Sequence, residues 1–151
     1  MVNNNQNDAR VDRLIAWYGN GEDGTCPTRT QWLHLLRRSD DAPITFVNFF
    51  KMRDEAIYPE GQGVSISGEA AFQRYATVSV PTVEKVGGRF LLLAPFEASF
   101  LGADENWDLV AVGAYPNAAA ALNLYENEDY RAAFMHRRAA CADQKVLVCA
   151  T

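Results

Sequence analysis

Two histidines and three cysteines are all that this 151-residue chain has of the side chains most used for soft-metal ligation and thiol chemistry. The cysteines, Cys26, Cys141 and Cys149, form no C-x-x-C and no Cys/His cluster. That excludes the spacings of structural zinc sites and dithiol redox motifs. Being odd in number, they read as reduced thiols of a cytoplasmic protein, with Cys141 and Cys149 as small buried apolar side chains. Basic charge is also short: 14 Lys and Arg stand against 19 Asp and Glu, a net charge of −5. This argues against a nucleic-acid partner or an anionic-membrane surface. No apolar run approaches the roughly 20 residues that cross a bilayer. The Asn-rich start lacks a basic n-region and an apolar h-region, so no signal peptide is expected. A phosphate-cradling glycine loop, G-x-S-x-G and H-E-x-x-H are all missing, which disfavours nucleotide, serine-hydrolase and zinc-protease chemistry. The acidic residues Glu97, Asp104, Glu105 and Asp108 lack metal-loop spacing and read as a solvated turn. Neither a metal nor a cofactor is expected.

What is present is an ordinary globular composition, 48% hydrophobic and 22% charged, in a chain long enough for one real core. Its most telling stretch is 43–52, PITFVNFFKM. Strand alternation puts Ile44, Phe46, Asn48 and Phe50 on one face and Thr45, Val47, Phe49 and Lys51 on the other. Both faces are largely apolar, so both need cover. Before it, Asp8 is a candidate cap for a helix over 9–18, and Thr28 for one over 29–38. Residues 1–42 therefore read as a tail and helical extension, with Trp17 and Trp32 pinning it to a domain over 43–151.

After the strand comes a long loop with Pro59, Gly61 and Gly63, then a helix over 69–86 that Pro81 is expected to kink or break. Gly87 and Gly88 stop it. Strands are expected over 89–96 and 107–115, joined by a polar turn. A helix over 118–126, capped by Asn117, is interrupted at Asn127 and followed by a second over 128–142. A last strand fits 144–149. The order strand, helix, strand, strand, helix, strand is the ferredoxin-like β-α-β-β-α-β arrangement, an α+β fold with an antiparallel sheet and helices on one face. An apolar second face implies another copy of the chain, and two such sheets face to face form a dimeric α/β barrel.

Several stretches carry a resemblance. The segments VNFFKMRDEAIYPEG (47–61), VGGRFL (86–91), NWDLVAVGAYPN (106–117) and EDYRAAFMHRRAACAD (128–143), with residues 69–75, resemble a group of bacterial dimeric α/β-barrel proteins, the domain of unknown function 1330. The resemblance spans about 43–151. It implies the fold and a homodimer but no common reaction. Wider relatives of the architecture include cofactor-independent monooxygenases, muconolactone-type isomerases, haem-degrading enzymes and stress-responsive proteins, and fold alone does not choose among them. Phe49-Phe50 stands where Leu-Leu is expected and Met52 where Phe is, changes that alter the shape of a pocket.

His136 is the first candidate for chemistry. On helical spacing it shares a side with Ala132, Ala133, Ala139 and Ala140, small residues that would let it project toward the sheet as a general acid–base. Its alternative is a hydrogen-bonded structural histidine. Asn48, an amide in a phenylalanine-rich strand, would hold a substrate carbonyl or enolate oxygen, or else be a satisfied structural amide. Arg137 would face an acidic substrate, or form a salt bridge. Tyr58, Tyr75, Trp107 and Tyr115 would wall an apolar or planar carbonyl-containing ligand, or serve as plain core. Two classes of function fit. One is a cofactor-free enzyme abstracting a proton beside a carbonyl, of isomerase or monooxygenase type, with His136 and Asn48 in one cavity. The other is a non-catalytic ligand-binding or stress-related dimer, or an interaction module using residues 1–42.

Overall fold

A computed structural model describes residues 4–38, 41–60 and 65–151. The helices α1 (Asn4–Tyr18) and α2 (Arg29–Leu36) precede strand β1 (Ile44–Met52). Helix α3 (Gly68–Lys85), strands β2 (Arg89–Pro95) and β3 (Leu109–Tyr115), helices α4 (Ala118–Glu126) and α5 (Glu128–Ala140), and strand β4 (Cys141–Ala150) follow. The sheet order is β2-β3-β1-β4, and every neighbouring pair is antiparallel. That is the ferredoxin-like α+β fold, with a helical extension before it.

β1 lies in the interior of the sheet, paired with β3 on one side and β4 on the other. Its Ile44, Phe46 and Phe50 are buried beneath the helices, where the Phe50 and Phe72 rings stand 4.8 Å apart. α3 and α5 lie side by side on this face. Ser67 caps α3 by accepting from the Ala70 amide, and Asn127 both ends α4 and caps α5, as its short polar side chain predicts. The helix α3 runs unbroken through Pro81. The expected break does not occur: Pro81 is exposed on the helix, which lets the carbonyl that loses its amide partner be solvated. Part of the long loop, residues 61–64 with Gly61 and Gly63, lies outside the described residues.

Boundaries shift by a residue or two at several elements, and two shift further. α1 starts at Asn4, so Asp8 lies inside the helix rather than capping it. α5 ends at Ala140 and β4 begins at Cys141 with no loop between them. The ladder extends to a Met52–Cys141 pair after a register shift between Lys51 and Met52. Pairing with β1 thus overrides the helical propensity of residues 141–142. Cys141 is buried, but Cys149 is exposed, because strand alternation turns it onto the helix-free face. Burial pushes the Cys141 thiol up to about 11, so it stays protonated.

The N-terminal extension joins the same core. Trp32 is 1% exposed, and its ring stands edge-on to Tyr125 at 5.2 Å. Tyr18 packs edge-on against Phe134 at 4.9 Å and donates a hydrogen bond to the Tyr125 carbonyl at 2.6 Å. Trp17 remains at the surface under the Arg131 guanidinium, 4.0 Å away. The helix-free face of the sheet carries Val47, Leu92, Val112 and Leu147, and Leu92 and Leu147 are each about half exposed.

Candidate functional site

A cavity of about 420 Å³ lies between the helix-covered face of the sheet and the helices above it. Phe46, Asn48 and Phe50 enter it from β1, Phe72 and Tyr75 from α3, and Arg137 from α5. Their convergence follows from two periodicities. Alternate residues of β1 share a face, while Tyr130, Phe134 and Arg137 form an i, i+4, i+7 stripe on α5. This stripe, rather than the alanine side, is what α5 presents to the sheet. Tyr130, Phe134 and Arg137 are all buried; of the alanines Ala132 is exposed, while Ala133, Ala139 and Ala140 are buried without lining the cavity.

Arg137 is 4% exposed. Its Nε donates to Gln144 Oε1 at 2.8 Å and its Nη1 to the Tyr75 hydroxyl at 3.2 Å. The Tyr75 hydroxyl in turn shares a 2.7 Å hydrogen bond with that of Tyr130. The guanidinium lies 4.8 Å above the Phe50 ring and 5.1 Å from the Phe134 ring. Among the described residues no carboxylate pairs with it. Burial works against its charge, but a guanidinium keeps its proton at any working pH, so the group remains a cation among tyrosine hydroxyls. Burial raises the hydroxyls of Tyr115, Tyr125 and Tyr130 above their ordinary range, leaving them neutral.

Asn48 lines the cavity, and its Nδ2 donates to the Ala111 carbonyl across the β1–β3 ladder at 3.0 Å. Tyr75 and Tyr115 line it as well. Three of the residues singled out in the sequence do not. His136 faces a separate groove with Arg74 and Lys85. There its Nδ1 is 2.7 Å from the Tyr58 hydroxyl. The structure therefore does not bring His136 and Asn48 into one cavity. The reason is the aromatic stripe of α5, which rotates the imidazole away from the sheet. Tyr58 goes with His136. Trp107 sits on the opposite face of the sheet, tilted against Phe49 at 5.7 Å, and donates from Nε1 to Glu105 at 3.1 Å. Phe72, Tyr125 and Tyr130 were missed as cavity residues; the α5 stripe is the sequence signal that could have found Tyr130.

Among the described residues, no three His, Cys, Asp or Glu side chains gather as a metal site would need. Nor, among the described residues, is any helix long and apolar enough to cross a membrane.

The family model described as "Domain of unknown function (DUF1330)" matches residues 62–151. Two solved structures of the RPA0582 protein of Rhodopseudomonas palustris, a protein of unknown function, are similar along most of the chain. The methylated form is 30% identical, with a TM-score of 0.77 over 84% of this chain and 93% of that one. The other is 29% identical, with a TM-score of 0.76 over 84% of this chain and 95% of that one. No curated protein matches the chain.

Proposed function

The chain belongs to the DUF1330 family, and we propose that this protein binds a small planar or aromatic organic anion in the cavity between sheet and helices, with Arg137 as the counter-charge. The observation behind this reading is a buried guanidinium, without a carboxylate partner among the described residues, in the wall of an aromatic-lined cavity. A buried unpaired cation is costly, and a ligand carboxylate or enolate would supply what the chain does not. Asn48 would stand beside the ligand, with Tyr75 and Tyr115 packing on its ring.

Binding is preferred to proton abstraction for a specific reason. The ionisable groups facing this cavity are an arginine that stays charged and tyrosines, of which Tyr115, Tyr125 and Tyr130 are pushed above their ordinary range. A general base for neutral pH needs a value near the working pH. The histidine that would have one lies in the other groove. In this reading the protein works as a homodimer, two sheets meeting by their apolar helix-free faces.

The test is isothermal titration of 3-phenylpropanoate against its neutral amide. The carboxylate is expected to bind and the amide to bind at least about tenfold more weakly, the scale of a charge-assisted hydrogen bond. Arg137→Met should erase that difference. Equal affinity for acid and amide, or no binding by either, would sink the proposal.

A further inference from the structure

A second cavity, of about 520 Å³, lies beyond Arg137. Val146 and Val148 enter it from β4, Trp32 and Leu35 from α2, and Pro27 from the loop before α2. Phe46, Tyr125 and Arg137 line both cavities, so the guanidinium stands where the two meet. Its two hydrogen bonds reach one to each side: Tyr75 belongs to the first cavity and Gln144 to the second. The outer wall of the second cavity comes from α2 and the loop before it, upstream of the family-matched segment that begins at residue 62.

We infer that the ligand carries its anion in mid-molecule, between two apolar arms, as a carboxylate bearing both an aromatic ring and an acyl chain does. The chemical class is that of N-acylated aromatic amino acids. This rests on the anion-binding reading of Arg137 above and extends it. A simple arylalkanoate ends at its carboxylate; with that group on Arg137 and its ring in the first cavity, it leaves the second untouched. Both walls mix rings with aliphatic side chains, and the balance assigns the arms: the first cavity holds the larger number of rings, Phe72, Tyr75 and Tyr115 among them, while Leu35, Val146 and Val148 add aliphatic surface beside Trp32 and Phe134 in the second. The N-terminal extension then helps select the ligand, by closing over the acyl chain.

The experiment is titration calorimetry on the full chain with 3-phenylpropanoate, N-acetylphenylalanine and N-octanoylphenylalanine. Burying the longer chain should tighten binding at least about tenfold from acetyl to octanoyl. Two substitutions fill the second cavity from opposite sides, Val148→Phe from β4 and His34→Trp from exposed α2. Each should bring the octanoyl-to-acetyl ratio to within about threefold of unity, for the same loss of buried methylenes. Phenylpropanoate that binds while acetyl and octanoyl forms bind alike would overturn this inference and leave the anion site standing. A large ratio unchanged in both variants would overturn it too, since the chain would then lie elsewhere. If none of the three binds, both readings fall together.

Discussion

Arg137 is a residue whose position in the chain says little and whose surroundings say much. In the sequence it is one of two adjacent arginines near the end of a helix, a place where basic side chains commonly complement the helix dipole. Its burial depends on Phe50, Tyr75 and Phe134, contributed by three different elements, and no local pattern announces that convergence. A methionine there would keep much of the volume and remove the unpaired charge. Arg137→Met should therefore keep its unfolding free energy, read by urea denaturation, to within about 1 kcal/mol of the parent, because burying an apolar side chain of similar volume offsets the lost hydrogen bonds. A collapse of stability would instead make the arginine a structural keystone. His136 shows the opposite case: its residue type draws attention in the sequence, but its side chain faces away from the cavity. Burial, and then the neighbouring Arg74, hold its imidazole below the ordinary 6.5. The unfolded chain binds the proton more readily, so this contribution to stability is complete above about pH 6.5 and is lost as pH falls from there toward the folded value. Urea midpoints taken at about pH 7.5 and 5.5, the range in which histidine titrates, should fall more for the parent than for His136→Gln. Equal slopes would rule the imidazole out as the source.

At the scale of elements the sequence is far more legible. β1 is visible from alternation, α4 and α5 from the helix formers around a capping Asn127, and α3 from its buried Phe72, Tyr75 and Val83. Boundaries set by long-range pairing were less visible, and β4 begins early because Met52 supplies Cys141 with a partner. Elements also meet where sequence gives no warning. At the start of α3, a Cβ on Gly68 would lie 2.1 Å from the Arg53 carbonyl oxygen and 2.9 Å from that of Ala140. The glycine is needed there for close approach of three backbones rather than for an unusual dihedral. Gly68→Ala should cost about 3 kcal/mol, the upper end for overpacking, as read by urea denaturation. Trp32→Ala should cost a similar ~3–5 kcal/mol, because α2 is held to the core by that ring. A loss below about 1 kcal/mol would mean that the extension contributes little to holding the core.

For the whole molecule, the helix-free sheet face is the feature that a single chain leaves unfinished. Val47, Leu92, Val112 and Leu147 lie together there, and a second copy is the proposed cover. Light scattering at micromolar concentration should give the mass of a dimer, and Leu92→Glu should give that of a monomer with unchanged far-ultraviolet circular dichroism. A parent protein that runs as a monomer would remove the barrel. The need for a cover was legible in the sequence, since a strand apolar on both faces requires two. The division of the interior into two cavities was not, because the extension that walls the second has no pattern linking it to β4. The joint between Ala140 and Cys141 carries one more consequence. With no slack between α5 and β4, the helix phase of Arg137 and the pleat of Gln144 are set by the same residue count. One inserted residue there would invert β4, sending Val146 and Val148 outward and Leu147 inward. Length at this joint is thus under tighter constraint than the identity of either residue flanking it, and natural variants should differ there by substitution and not by insertion or deletion.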